Sequence, residues 1–276
     1  ENAVIRNKIK ERREIVLKAT GKEKLILLLI EDNEEVMNFM SNHFNDDFNV
    51  YKAEDGEKGW ILATQLIPDI IISDVMMPNM IGTELCVKLK SDVRTSHIPV
   101  ILLTAREPLL YKIEGLETGA DDYITKPFNL KYLEMRIWNL LESRIKLKER
   151  YIKKVDMQPS QLAITSPDEK FLEKAIKFIE ENIAEPTLSV EELSKVVCMS
   201  KTTLYRKLKA LTNQNTNEFI RSVRLNIAAQ MLAQKKFNVN EVAYHTGFSN
   251  LDYFRKCFKE QFGVNPKDYT SRMTEN

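Results

Sequence analysis

Residues 25–32 read LILLLIED, six apolar residues followed by two acidic ones. Two similar apolar runs follow along the chain, PDIIISD at 68–74 and IPVILLT at 98–104. Short and nearly continuous apolar runs are typical of parallel strands that are buried on both faces. The segments between them have helical periodicity, and we predict helices over 34–45, 57–65, 83–90, 109–118 and 129–154. This alternation predicts a doubly wound α/β domain.

The chain has 276 residues, which exceeds the usual size of one domain and suits two. A breaker-rich stretch at 158–168 lacks periodicity and is typical of a linker. Beyond it no strand-like run occurs, so we predict an all-α second domain with helix caps at Ser189, Ser200, Asn215, Asn240 and Ser249. The predicted boundaries are a lead-in helix or linker from a preceding domain over 1–22, an α/β domain over 23–150, a linker over 151–168 and a helical domain over 169–276.

Composition excludes several classes of protein. Hydrophobic residues make up 43% and charged residues 29%, as in ordinary globular domains. The longest apolar run, 25–30, is far shorter than the roughly 18 residues of a membrane span. The 3 cysteines have no paired spacing, so neither a zinc site nor a disulfide framework is expected. Because the chain begins with Glu1 and has no apolar signal segment, we expect a cytoplasmic fragment of a larger protein.

Polar side chains stand where the predicted strands end. Glu31 and Asp32 follow the first apolar run, and Asp74 ends the second. Thr104 ends the third run, and Lys126 follows a shorter strand-like segment. Carboxylates that converge at one sheet edge repel each other unless a cation neutralises them, and such hard oxygen ligands suit Mg²⁺. With Mg²⁺ bound, an Asp74 oxygen can attack a phosphoryl donor while Lys126 offsets the developing charge.

Over residues 24–145 the chain resembles the receiver domains of two-component response regulators. The resemblance rests on intervals of 30 residues from Asp74 to Thr104 and 22 from Thr104 to Lys126, and on four motifs. These motifs are Glu31-Asp32, Asp74-Val75-Met76-Met77-Pro78, Thr104-Ala105 and Tyr123-Ile124-Thr125-Lys126-Pro127-Phe128. The resemblance implies a flavodoxin-like fold.

The same resemblance implies a role for each residue of the pocket. Asp74 is the expected phosphorylation site, and Mg²⁺ is the cofactor required for that reaction. Asp32 is expected to bind Mg²⁺ directly, Glu31 through water and Met76 through its backbone carbonyl. Thr104 and Lys126 are expected to bind the phosphoryl group, and Tyr123 to turn inward when the Thr104 hydroxyl moves.

Residues 191–200 and 240–249 repeat one pattern at a shift of 49 residues. Each copy has a short helix, a turn and a serine, and a basic helix with an apolar stripe follows. We therefore predict two helix-turn-helix units, each with a recognition helix that enters the major groove. The predicted DNA-binding residues are Ser200, Lys201, Thr202, Thr203, Tyr205, Arg206, Lys207, Ser249, Asn250, Asp252, Tyr253, Arg255, Lys256 and Lys259.

The stretch from 168 to 270 resembles the AraC type of DNA-binding domain. The resemblance is clearest in Gly247-Phe248-Ser249, Tyr253-Phe254, Phe258-Lys259, Phe262-Gly263-Val264-Asn265-Pro266 and Tyr269. It implies that the helix over 219–232 connects two readers set about one turn of DNA, roughly 34 Å, apart. Together, the two resemblances identify the chain as the C-terminal part of a hybrid two-component regulator.

We predict a phosphorylation-controlled, sequence-specific transcription regulator that is not an enzyme. Its expected partners are double-stranded DNA, a histidine kinase domain on the same full-length chain, a second copy in a homodimer, and RNA polymerase. This part is expected to make no membrane contact, whereas a preceding sensor region could anchor the full-length protein. The main alternative is a receiver that acts without phosphorylation as a dimerisation or interaction scaffold.

Two further alternatives rank lower. A phosphatase would use Asp74 as its nucleophile, but Met76 stands two positions later where a general acid or base would be needed. An RNA regulator is disfavoured because the helical domain lacks the sheet with stacking aromatics that single-strand readers use.

Overall fold

The computed structural model describes residues 2–105, 118–152 and 166–272. The chain divides into two compact units, with the division after residue 147. Among the residues that the structure describes, no helix has both the length and the apolar character needed to span a membrane.

The first unit alternates strands with helices. Its elements are α1 (Asn2–Thr20), β1 (Leu25–Ile30), α2 (Glu34–Phe44), β2 (Phe48–Ala53), α3 (Gly56–Leu66), β3 (Ile70–Asp74), α4 (Gly82–Ser91), β4 (Val100–Thr104), β5 (Asp122–Thr125) and α5 (Leu130–Ile152). The helix predicted over 109–118 falls almost entirely outside the described residues.

Within 2–105 and 118–152, the strands form one five-stranded parallel sheet in the order β2-β1-β3-β4-β5. This topology confirms the predicted doubly wound α/β fold. The strand order reverses between β1 and β3, and sheets of this kind bind ligands in the crevice beyond the carboxyl ends of such strands.

Each face of the sheet carries its own core. Leu27 and Leu29 of β1 point to the face covered by α1, α2 and α5, whereas Leu28 and Ile30 point to the face covered by α3 and α4. All four side chains are fully buried, as expected for strands with helices on both faces. The nearly continuous apolar runs are thus explained by burial on both sides.

Helix α1 belongs to the first unit, although residues 1–22 are predicted to precede the α/β domain. Ile9 and Val16 are buried in the same core as α2 and α5. Arg12 also lies 3.0 Å from Glu142 of α5. The apolar stripe of α1 therefore covers one face of the sheet, and α1 is part of the α/β domain.

Beyond the end of α5, the described part of the second unit, 166–272, consists of helices joined by turns. The elements are α6 (Ser166–Glu181), α7 (Val190–Val196), α8 (Lys201–Thr212), α9 (Thr216–Ala233), α10 (Val239–His245), α11 (Leu251–Phe262) and α12 (Pro266–Arg272). The prediction of a helical second domain is confirmed.

Three of the five predicted helix caps are confirmed, and two are wrong. Ser189, Ser200 and Asn215 cap α7, α8 and α9 through their side chains. The predicted cap Asn240 lies inside α10, because Asn238 accepts from the Asn240 and Glu241 amides and starts that helix earlier. The predicted cap Ser249 lies one residue early, because the Asn250 side chain accepts from the Tyr253 amide.

The linker predicted over 151–168 is too long at both ends. Helix α5 continues to Ile152, and α6 already begins at Ser166. Pro167 is tolerated in the first turn of α6, where a backbone N–H has no helical partner. Asp168 is fully buried and belongs to the helical unit. The rest of the predicted linker, 153–165, lies outside the described residues.

Candidate functional site

An acidic pocket lies at the carboxyl ends of the central strands. Glu31 directly follows β1, Asp74 is the last residue of β3, and Lys126 directly follows β5. One carboxylate oxygen from each of Glu31, Asp32 and Asp74 lies within 4.8 Å of the others. The strand ends thus bring together the side chains that the sequence predicts for one site.

Lys126 bridges the two buried carboxylates of the pocket. Its Nζ donates to Glu31 Oε2 at 2.7 Å and lies 2.9 Å from Asp74 Oδ2. Burial raises the pKa of Glu31, and the nearby Asp74 charge adds to that rise despite the Lys126 ammonium. Burial acts to lower the pKa of Lys126, but its bonds to both carboxylates raise it overall. The lysine therefore stays protonated, and the pocket remains short of positive charge.

The charge of the pocket fits a divalent cation. With all groups ionised, three carboxylates and one ammonium leave a net charge of −2. Oxygen ligands of this type and number match what Mg²⁺ binds in proteins. Glu31, Asp32 and Asp74 would hold such an ion, and Met76, whose side chain is exposed, follows closely enough in sequence for its carbonyl to contribute.

The Asp74 carboxylate is held from the backbone side. Its Oδ1 accepts from the Val75 amide at 2.8 Å, and its carbonyl oxygen accepts from the Ser73 hydroxyl at 2.9 Å. Gly82 passes so close that a Cβ there would lie 2.0 Å from the Asp74 carbonyl oxygen. A residue with a side chain at position 82 would therefore displace the backbone of Asp74.

Two loop residues near the pocket escape the sequence prediction. Asn79, in the left-handed region with φ 63°, donates from its side chain to Asp55 Oδ2 at 3.1 Å. Asp55 caps α3, and a backbone bond from Lys58, opposed by burial, lowers the pKa of its carboxyl group. The only sequence signal for this hydrogen bond between Asn79 and Asp55 is the Pro78-Asn79 pair, which is typical of a turn.

The predicted switch residues lie on β4 and β5. Thr104 is buried at the end of β4, and its carbonyl accepts from the Lys126 amide at 2.6 Å. Tyr123 pairs in register with Leu102 and is half-buried. Its hydroxyl oxygen lies 2.5 Å from the Thr118 hydroxyl. An inward turn of Tyr123 would have to break this contact.

The first helix-turn-helix unit exposes most of the residues predicted to bind DNA. Helix α8 begins at Lys201 after the cap Ser200, and its first turns face solvent. The exposed or half-exposed members of the predicted set are Ser200, Lys201, Thr202, Thr203, Tyr205 and Arg206. The prediction for Lys207 is wrong, because this side chain is 0% exposed and its Nζ lies 2.6 Å from Asp168 Oδ1.

The second unit exposes its whole predicted set, namely Ser249, Asn250, Asp252, Tyr253, Arg255, Lys256 and Lys259. Tyr253 is tied back to the connecting helix α9, because Arg221 donates to its hydroxyl oxygen at 2.8 Å. Asp252 lies 3.5 Å from Arg255, an exposed contact that water screens.

The two units keep a shift of 49 residues only as far as their turns. Cys198 and Gly247 both have positive φ, at 55° and 75°, and mark equivalent turn positions. After the turn the caps are Ser200 and Asn250, a shift of 50, so the second turn is one residue longer. Counted from these caps, Lys207 is equivalent to Cys257, which is also buried.

Comparison with family models agrees with this division. Residues 27–137 match the response regulator receiver domain, and residues 193–272 match a helix-turn-helix domain.

Several known proteins are similar to the chain. "Histidine kinase P4" of Formosa agariphila is 46% identical over 93% of this chain and 19% of its own length. "DNA-binding dual master transcriptional regulator RpaA" of Synechocystis is 40% identical over 42% of this chain and 48% of its own length. The solved Francisella response regulator 1452 receiver domain is 33% identical over 44% of this chain and 98% of its own, with a TM-score of 0.41. The chain thus spans less than half the length of these two curated relatives.

Proposed function

Because the chain carries a response regulator receiver domain followed by an AraC-type helix-turn-helix domain, we propose that it is a transcription regulator controlled by phosphorylation. In this proposal Asp74 accepts a phosphoryl group from a histidine kinase, and the change alters binding of double-stranded DNA by the helical unit. The observation that carries the proposal is the convergence of Glu31, Asp32 and Asp74 within 4.8 Å, with Lys126 alongside.

Each residue of the acidic pocket has its own role in phosphoryl transfer. Asp74 is the nucleophile, since the Val75 amide and the Lys126 ammonium hold its two oxygens. Glu31, Asp32, Asp74 and the Met76 carbonyl would hold Mg²⁺, which when bound offsets negative charge on the transferring group. Lys126 supplies the second positive charge, and Thr104 offers its hydroxyl to a phosphoryl oxygen.

The phosphorylated state is read out by Thr104 and Tyr123. When the Thr104 hydroxyl turns to the phosphoryl group, space opens beside β4, and Tyr123 exchanges its contact with Thr118 for an inward position. Such a change biases an equilibrium between two surfaces of the receiver domain. Altered dimerisation or release of the helical unit then changes affinity for DNA.

Helices α8 and α11 are the proposed recognition helices. Their exposed hydroxyl, amide and basic side chains suit contacts to base edges and phosphates in the major groove. Lys201 and Arg206 are the principal candidates on α8, and Arg255 and Lys256 those on α11. The protein would act in the cytoplasm as a homodimer, with the kinase domain on the same full-length chain and RNA polymerase as a further partner.

The first test measures phosphorylation of the chain by a small acyl phosphate. We expect Mg²⁺-dependent addition of one phosphoryl group in the wild type, detected by mass spectrometry, and none in Asp74→Asn. The matched control is Asp46→Asn, which makes the same change at an exposed carboxylate of the receiver domain. Equal labelling of all three proteins would contradict the assignment of Asp74.

The second test measures binding to a duplex that the chain selects from a random-sequence pool. Phosphorylation should change the affinity of the wild type but not of Asp74→Asn, and affinity should fall linearly with salt on logarithmic axes. Unchanged affinity after complete phosphorylation would favour the scaffold alternative. Loss of binding in Arg206→Ala with none in Lys174→Ala, an exposed site on α6, would support the proposed reader.

A further inference from the structure

One ion pair of the helical unit is fully enclosed. Lys207 of α8 donates from Nζ to Asp168 Oδ1 at 2.6 Å, and both side chains are 0% exposed. The Lys207 ammonium also lies 5.2 Å from the centre of the Phe171 ring. Asp168 belongs to the first turn of α6, so the pair ties the start of that helix to the middle of the first recognition helix.

The internal repeat shows that the fold does not require a charge at this place. Cys257 occupies the equivalent position in the second unit and is buried at 3% exposure. The apolar neighbours also correspond, since Leu204 and Leu208 are equivalent to Phe254 and Phe258, all four 0% exposed. Burying two charges is costly, and apolar side chains of similar volume often serve stability as well or better. The pair therefore needs an explanation other than packing.

We propose that Asp168 and Lys207 form a positioning pair that fixes the orientation of α8 for DNA recognition. The inference rests on the proposed function as a DNA-binding protein. A hydrogen-bonded ion pair holds two helices at one distance and one angle, whereas an apolar contact permits sliding and rotation. Arg206 precedes Lys207 directly and is exposed, so a rotation of α8 about its axis moves both residues together.

The second recognition helix has separate polar anchors. Arg221 of α9 donates to the Tyr253 hydroxyl at 2.8 Å, and Gln261 of α11 donates to Asn226 Oδ1 at 2.7 Å. These contacts involve neither α6 nor α8. Loss of the Asp168–Lys207 pair should therefore disturb the reading of one half-site and spare the other.

The experiment is a hydroxyl-radical footprint of the full 276-residue chain on a duplex selected from a random-sequence pool. The main variant is the double substitution Asp168→Leu/Lys207→Met, which replaces the charges by apolar side chains of similar volume. Arg206→Ala and Arg255→Ala identify the half-sites read by α8 and α11. Glu173→Gln, an exposed carboxylate on α6, is the control for loss of charge on that helix.

We expect the double variant to melt at the wild-type temperature or above, because no buried charge is left alone. At a concentration that saturates the α11 half-site, its protection of the α8 half-site should be weaker by about tenfold, comparable with a mismatched base pair. Glu173→Gln should protect both half-sites as the wild type does. A folded double variant with wild-type protection of both half-sites would overturn the proposal.

If the double variant does not fold, two single variants test the same proposal. Asp168→Leu and Lys207→Met each break the same link, so at a temperature where they are folded each should weaken the α8 half-site selectively. Equal weakening of both half-sites would mean a general loss of structure and would overturn positioning. If the wild type itself gives no footprint on the selected duplex, the proposed function fails, whereas an intact wild-type footprint with unaffected variants rejects only the positioning pair.

Discussion

Replacement of Gly82 by alanine should move the backbone that carries Asp74. A Cβ built at position 82 lies 2.0 Å from the Asp74 carbonyl oxygen, 2.9 Å from its carbonyl carbon and 3.0 Å from Val75 Cα. Because real Cβ atoms essentially never approach closer than 3.0 Å, α4 and the end of β3 must separate by about 1.0 Å or more. The contacted atoms are backbone, so no side-chain rotation relieves the clash.

Two opposing contributions set the size of the effect. Alanine in place of glycine in a helix interior is favourable by about 0.5–1 kcal/mol, which is an upper limit for Gly82 because it is the first residue of α4. Overpacking of a closely packed region costs about 1–3 kcal/mol. We therefore expect the free energy of unfolding to fall by about 1–2 kcal/mol in Gly82→Ala, so the receiver domain stays folded. Misplacement of a reacting group by about 1 Å lowers a rate by on the order of a hundredfold, and phosphorylation of Asp74 should slow by that factor.

The assay compares the initial rate of Asp74 phosphorylation by an acyl phosphate with the thermal unfolding of the same samples. Gly59→Ala is the matched control on α3. Its new Cβ would lie 2.5 Å from Cδ1 and 3.1 Å from Cγ2 of Ile30, so the closest atoms belong to a side chain and not to the backbone of Asp74. We expect that control to keep its rate within a few-fold of the wild type. A wild-type rate in folded Gly82→Ala, or equal losses in both variants, would refute this reasoning.

Three other substitutions test a partly buried carboxylate of the receiver domain, a buried arginine of the helical unit and the proposed Mg²⁺ site. Asp121→Asn leaves the Lys90 and Arg144 cations, 2.8 and 2.6 Å from its carboxylate, without a counter-charge and should lower unfolding free energy in urea by about 3 kcal/mol. Burial acts to raise the pKa of Asp121, but Arg144 and Lys90 lower it below 3.8. The stability that the Asp121 carboxylate contributes is therefore present above that pH and is lost as the pH falls through the folded-state pKa. Thermal unfolding of Asp121→Asn should lack this acid-dependent loss. Arg224→Met removes the buried donor to two backbone carbonyls and should lower the unfolding free energy of the helical unit by about 2 kcal/mol, measured by circular dichroism. Mg²⁺ at a hundred times its Kd should stabilise the wild type at neutral pH by about 2.7 kcal/mol in calorimetry, and Asp32→Ala should abolish that gain.

The central strands could be predicted from sequence because their burial on both faces leaves a continuous apolar run. The run 25–30 coincides with β1, and the runs ending at Asp74 and Thr104 contain β3 and β4. Strand β2 carries no such signal, because as an edge strand it mixes exposed and buried residues in FNVYKA. The acidic pocket could be predicted from the polar residues at the ends of these strands, since parallel strands bring their carboxyl ends to one edge of the sheet.

The sequence predictions were wrong where burial depends on a residue far along the chain, or where two nearby residues compete to cap a helix. Lys207 stands on the apolar stripe of α8, three residues after Leu204 and four before Leu211, but a lysine is rarely buried without a counter-charge, and its partner Asp168 lies 39 residues earlier. Asp168 itself follows Pro167 in a breaker-rich stretch, which hides its place inside a helix. For α10, two nearby asparagines could each cap the helix, but only Asn238 has a glutamate three residues later, and the capping box that it forms with Glu241 selects it.

The extra residue in the second turn also changes which side chains the two recognition helices present. Counted from the caps, Lys201 and Thr202 of α8 correspond to Leu251 and Asp252 of α11. A lysine differs from a leucine, and a threonine from an aspartate, in the base edges that it can bind and in its interaction with phosphates. The two half-sites should therefore differ in sequence, although the units that read them repeat. Selection from a random pool tests this directly, and a duplex with two identical half-sites in the same orientation would contradict it.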